Sequence, residues 1–330
     1  MLGGLCDLLV KEDVPLAGAR LTVTSLDPMV AQRQLSWRRS DAQVIEEIHF
    51  HGMAAFDGEN ADSTRLTLAL PGTRHQIEML AERAEGFEPQ TCRYLDAIAL
   101  AMAPAFQVAV EKEISRSLLQ AYLGRRVADR VLNGSIRRGT GEVIDAVVWI
   151  SDLRDFTRLS ETLSSSELIA ALNDCCARLV GAIQPFGGEV LKFIGDGLLA
   201  VFPVAPKGEG AACNAALSAV RAARDGMARL DRERLNLNQH PLPFGVGLHL
   251  GPVVYGNIGA ADRLDFTAIG TAVNVASRIE GLCKELECPV LISQAVAMHC
   301  MLPLTKMGSY PLRGSATPAV LYTFPELAPK

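Results

Sequence analysis

The chain has 330 residues, 49% of them hydrophobic, and a formal net charge of −5. That length and apolar content are enough for two domains with real cores, so no disulfide or structural metal is needed to hold the fold. The acidic balance argues against a nucleic-acid partner, no apolar run reaches the roughly 18 residues of a membrane span, and residues 1–10 lack the features of a signal peptide.

The expectation is therefore a cytoplasmic protein with small-molecule or protein partners. Its cysteines, at positions 6, 92, 175, 176, 213, 283, 288 and 300, form no CxxC pair and have no histidines at zinc-finger spacing. They read as buried thiols rather than as a disulfide or metal framework.

In chain order, residues 1–10 are helix-like, and 21–26, 32–37, 44–50 and 65–70 read as short strands separated by loops rich in Asp, Gly and Ser. After Pro89 the apolar spacing turns helical, with Leu95, Ile98, Met102 and Phe106 three to four residues apart. Strands closed by a long exit helix resemble a small α+β sensor domain of the GAF kind, over residues 1–104. The resemblance is one of architecture, and it implies a small-molecule or protein signal of unknown identity. His49 and His51 could ligate a haem or metal but read as ordinary strand residues.

Residues 105–131 read as one long helix with Phe106, Val110, Ile114, Leu118, Ala121 and Leu132 near heptad spacing. Such a stripe suits pairing with a second copy, or packing on the helix's own domain. Asn133-Gly134 should stop the helix, and 136–141 form a polar connector. The expected organisation is a sensor in 1–104, a signalling helix and connector in 105–138, and a catalytic domain in 139–330.

In that last part a strand at 143–150 leads to a helix at 156–183, a hairpin at 189–203, a helix at 209–231 and strands at 243–250 and 252–257. A βαββαβ order of this kind is the split-βαβ form of an α+β fold, an antiparallel sheet with helices on one face. A strand and turn at 262–270, a helix from Thr271 and strands at 290–292, 311–314 and 320–324 complete it.

Two stretches carry chemistry. In Glu189 to Pro203, EVLKFIGDGLLAVFP, two β-prone runs flank Gly195-Asp196-Gly197, which puts Asp196 at the tip of a tight turn. Lys192 interrupts the first run on the face of Val190 and Ile194, where an unpaired ammonium is costly, so a polar partner is expected. The run Ala146 to Ile150 ends in Ser151-Asp152 before a helix. Two strand-end carboxylates suit a hard divalent cation, and the amides opening a helix suit phosphate.

Three ordered motifs, SDLRDFT, KFIGDG and FTAIGTAVNVASR, resemble the class III nucleotidyl cyclases over about 142–324. The resemblance implies that Asp152, Asp196 and the Leu153 carbonyl bind two Mg²⁺ or Mn²⁺ ions. It implies that the amides of Phe156 and Thr157, with the Thr157 hydroxyl, cradle the triphosphate. Lys192 and Thr267 fall where the purine is read, Asn274 where the ribose is oriented, Arg278 where transition-state charge is met, and Arg313 near the terminal phosphates. An ammonium only donates and so suits N1 of adenine, which makes ATP the expected substrate.

Asp155 departs from the family, which commonly has Gly there; beside a triphosphate it should turn away or pair with Arg154. His249 and His299 match no family site residue. Because the family divides each site between two catalytic domains, and this chain carries both sets of residues, a head-to-tail homodimer is implied. The alternatives are a guanylate cyclase, or a pseudo-cyclase that binds nucleotide without turnover.

Overall fold

Two sheets organise the chain, a five-stranded one within residues 1–129 and an eight-stranded one within 130–330. The computed structural model describes residues 2–24, 30–50, 64–70, 75–134, 137, 139, 141–260, 262–314 and 317–328. His51 and parts of the connector at 136–141 lie outside them.

The first unit contains α1 (Leu2–Lys11), β1 (Leu16–Thr24), β2 (Val30–Arg38), β3 (Gln43–Phe50), β4 (Arg65–Ala69), β5 (Gln76–Ala81) and α2 (Pro89–Leu123). Its strands pair antiparallel throughout in the order β3-β2-β1-β5-β4. The sequence reading missed β5, where Ile77, Met79 and Ala81 alternate inward in a short run interrupted by Glu78.

Helix α2 buries Leu95, Ala99, Ala103, Phe106 and Val110 in the core of its own unit, and Ile114 packs against the same cluster. The first half of the stripe expected to pair with a second copy is therefore covered by its own sheet. By length and composition alone α2 is also long and apolar enough to cross a membrane, a test that a helix packed in a protein core passes as well.

The helix does not continue unbroken to Val131. It ends at Gly124, whose φ of 80° and ψ of 158° are open to glycine alone, and α3 (Arg125–Leu132) starts afresh. That second helix ends where Asn133-Gly134 was expected to stop it, Gly134 having a φ of +89°.

The second unit contains β6 (Gly141–Leu153), α4 (Phe156–Thr162), α5 (Ser165–Ile183), β7 (Glu189–Ile194), β8 (Gly197–Pro203), α6 (Glu209–Asn236) and β9 (Phe244–Gly259). Then come β10 (Leu264–Ile269), α7 (Thr271–Glu285), β11 (Val290–Ser293), α8 (Gln294–Ala297), β12 (Thr305–Tyr310) and β13 (Ala319–Thr323). The sheet runs β12-β13-β11-β9-β6-β8-β7, with β10 paired to β9 off this path.

Four particulars differ from the sequence expectation. The helix expected over 156–183 is two helices, because Ser164 takes the Glu167 amide while the Glu167 carboxylate takes the Ser164 amide, a capping box that starts α5 afresh. Strand β9 is continuous through Gly251, which stays paired with Ala146. The strand expected at 311–314 lies earlier, at Thr305–Tyr310, and Gly314, with φ +71°, belongs to the turn after it.

The fourth is the placement of α7. Residues Val246, Leu248 and Leu250 of β9 share one core with α5 and α6. On the opposite face, a Cβ at Gly247 would come within 2.5 Å of the Glu280 amide nitrogen and 2.6 Å of the Ala276 carbonyl oxygen. Helix α7 thus lies directly on the backbone of β9, so helices cover both faces of the sheet. One strand pair, β9 with β11, is parallel.

Candidate active site

The aspartates at 152 and 196 reach each other through β6 and β8. Ser151 pairs with Leu198, so Asp152 at the end of β6 stands beside the β7–β8 turn formed by Gly195 and Asp196. Gly195 takes φ +62° in that turn. At Gly197 a Cβ would lie 2.4 Å from the Ser151 carbonyl oxygen and 3.0 Å from Asp152 Oδ1, so only glycine lets the two carboxylates approach.

They lie within hydrogen-bonding reach of each other. Burial first, then the Asp196 hydrogen bond and charge, with Glu280 adding, push Asp152 up to about 7, against a pull from the Leu153 amide. Two carboxylates crowded in this way are a donor pair that a divalent cation fits, since it replaces their mutual repulsion with a shared attraction.

After β6 the chain enters α4 through Asp155, whose φ of 56° and ψ of 29° are left-handed. This explains why glycine suits the position and why Asp, which tolerates that region, can stand there. The Asp155 side chain makes no capping bond to α4. It contacts Lys284 Nζ at 3.4 Å, while Arg154 is engaged elsewhere, by Glu280 at 3.0 Å. The expected Arg154 partner for Asp155 is thus replaced by Lys284. Phe156 packs on the core and Thr157 is exposed at the start of α4.

The polar partner expected for Lys192 is Asp265 of β10, with Nζ and Oδ2 2.5 Å apart. A β-bulge between Val190 and Lys192 shifts the register of β7, so Ile194 is 55% exposed rather than part of a buried face with Lys192. Two residues on from Asp265, Thr267 is buried and its Oγ1 has no hydrogen-bond partner. A buried hydroxyl left open in this way is suited to a ligand's polar edge.

On α7, Asn274 is exposed and Arg278 half-buried. Arg278 Nη2 would lie 3.5 Å from a Cβ on Gly314, so the turn after β12 carries the exposed Arg313 to the neighbourhood of Arg278. Among the described residues, no hydrogen bond or ion pair joins Asp152 or Asp196 to Lys192, Thr267, Asn274 or Arg278. His249 bonds Ser293 Oγ at 2.9 Å, and His299 faces Glu209 at 3.2 Å, which accounts for both without a ligand.

Sequence reasoning passed over Asp265 and Glu280. The signal for Asp265 was its place two residues before Thr267, hence on the same strand face. For Glu280 it was a carboxylate on the buried stripe of α7 with Ala276, Ile279 and Cys283.

The model of the adenylate and guanylate cyclase catalytic domain matches residues 142–324. An adenylate cyclase of Anabaena cylindrica is 34% identical over 173 residues, covering 51% of this chain and 33% of that protein. Adenylate cyclase 1 of Rhizobium meliloti is 30% identical over 223 residues, covering 66% and 31% respectively. The chain thus spans about a third of the length of these relatives. Among solved structures, the adenylyl cyclase CyaB from P. aeruginosa aligns with a TM-score of 0.51 at 29% identity, covering 56% of this chain and 94% of that one. With more than half its residues matched to that domain, and its strand-end aspartates, glycine turn and helix α7 built as described, the chain belongs to the class III nucleotidyl cyclase family.

Proposed function

We propose that the chain is an adenylate cyclase, converting ATP to 3′,5′-cyclic AMP and pyrophosphate at composite sites of a head-to-tail homodimer, under control of the N-terminal unit. The observation that carries the reading is the crowded Asp152–Asp196 pair beside the opening of α4. Asp152, Asp196 and the Leu153 carbonyl would hold Mg²⁺ or Mn²⁺, two per site. Bound there, such ions supply Lewis acidity toward the ribose 3′-hydroxyl and neutralise charge on the departing pyrophosphate.

The chain's own groups do the rest. The amides of Phe156 and Thr157 and the Arg313 guanidinium bind phosphate oxygens. Asn274 fixes the ribose so that its 3′-oxygen lies in line with the α-phosphorus. As the O3′–P bond forms, the bond from the α-phosphorus to the bridging oxygen breaks, that oxygen leaves with pyrophosphate, the 3′-proton passes to solvent, and Arg278 meets the charge gathered on the α-phosphoryl oxygens. Lys192 donates to adenine N1, and the open Thr267 hydroxyl accepts from the 6-amino group.

One observation favours a second reading. Asp265, beside Lys192, is a carboxylate able to accept from the N1–H and 2-amino donors of guanine, so a guanylate cyclase is the alternative. Purified protein incubated with Mn²⁺ or Mg²⁺ and ATP or GTP, with products separated by chromatography, decides between them. Cyclic AMP as the dominant product supports the first reading, cyclic GMP the second, and neither product from either nucleotide overturns both.

A further inference from the structure

Arg154 follows the strand end that carries Asp152, and Glu280 lies two residues beyond Arg278 on α7. Their side chains meet at 3.0 Å with only 18% and 10% of their surfaces exposed. Neither Arg154 Nη2 nor Glu280 Oε1 has a hydrogen-bond partner, so charge holds the contact. The space for it is made by Gly245, opposite Asp152 on β9, where a Cβ would fall 1.7 Å from Arg154 Nη2 and 2.7 Å from Glu280 Oε1. One helical turn along, Lys284 contacts Asp155. Two successive residues just after the strand end thus meet two successive turns of α7.

We infer that Arg154 and Glu280 are positioning residues, a brace that fixes the strand end bearing Asp152 to the helix bearing Asn274 and Arg278. This rests on the composite-site reading above. In a head-to-tail dimer the aspartates of one chain serve one site and its α7 serves the other, so the brace ties the two sites together through each subunit. It touches neither β7 nor β10, where the purine is read, so loosening it displaces groups of the reaction and leaves base recognition in place.

Two measurements test this on the full chain. In the first, hydrogen exchange is followed on metal-free protein, where Glu280→Gln should speed exchange at both 152–157 and 272–280, by about tenfold. Faster exchange at only one segment, or at neither, overturns the brace. This arm holds whether or not the site is composite.

The second uses mixed dimers of Asp152→Ala and Arg278→Ala chains, whose single working site takes its aspartates from the second chain and its Arg278 from the first. Adding Glu280→Gln to either chain should lower kcat about tenfold with the KM for ATP held within about twofold. A loss confined to one placement, or a raised KM with kcat retained, overturns the proposal. Dimers that show no activity before Glu280 is changed instead refute the composite site. Should Glu280→Gln fail to fold, Arg154→Lys takes its place in both measurements, with the same outcomes expected.

Discussion

Lys192 and Asp265 hold each other across β7 and β10, with Nζ and Oδ2 2.5 Å apart, two residues from the unpartnered hydroxyl of Thr267. The carboxylate fixes where the ammonium sits before a nucleotide arrives. Asp265→Asn should therefore lower kcat/KM for ATP about tenfold, on the scale of one charged hydrogen bond, and lower residual use of GTP further by removing an acceptor for guanine. Steady-state rates with both nucleotides check this. Unchanged values for both would place the pair outside base recognition.

Asp152 offers a test that needs no substrate. Its folded-state pKa, raised to about 7, lies above the roughly 3.9 of an unfolded Asp, so between these values the folded chain binds the extra proton. The ionised group therefore opposes folding above about pH 7, and that penalty fades as pH falls toward 4. Asp152→Asn should raise the melting temperature of metal-free protein at pH 8 by on the order of 2–4 °C, a modest value because the site is partly solvated, and should flatten this pH dependence. It should also abolish turnover and any stabilisation by Mn²⁺. Thermal melts across pH, with and without Mn²⁺, give the answer.

Asp152→Ala and Arg278→Ala, each inactive alone, should recover about a quarter of parent activity when mixed at equal concentration. Half of the randomly exchanged dimers are mixed, and each of those has one of two sites intact. Demonstrated subunit exchange without recovery would put both residues in one chain's site.

What the sequence revealed, and what it hid, follow one division. Asp152, Asp196 and Lys192 stood out because each breaks an apolar run at a strand or its end, a local event that neighbouring residues make visible. The stripe from Phe106 to Ile114 was equally visible, but its partner was not, since periodicity says that a face is covered and not by what. The break at Ser164 was written as S-x-x-E and was outweighed by the helical pattern on either side. Glu280 and Gly245 are 35 residues apart and meaningful only together, as a carboxylate and the missing side chain that admits its partner. No local signal reports such a pair.

Gly124 separates α2 from α3 in a backbone conformation that other residues adopt only under strain. Gly124→Ala should cost about 1–3 kcal/mol, seen as a lower urea midpoint, with basal catalysis retained. If instead the midpoint holds and helical circular dichroism rises, the alanine has fused the two helices, and the break is a soft joint.

The thiols described in both units bear on how this protein can be handled. Burial pushes Cys6, Cys175, Cys213 and Cys283 up to about 12, and raises Cys176 and Cys300 as well. Cys288 is buried against Thr323 Oγ1, and Cys92 is half-buried with its Sγ toward the Phe87 carbonyl. Against a thiol at about 12, a cysteine newly placed on the surface presents on the order of 10³ times more thiolate to an alkylating dye. A brief maleimide pulse at neutral pH therefore favours a newly placed surface cysteine over these four thiols, and the half-buried Cys92, Cys176 and Cys300 are the ones to replace first if background appears.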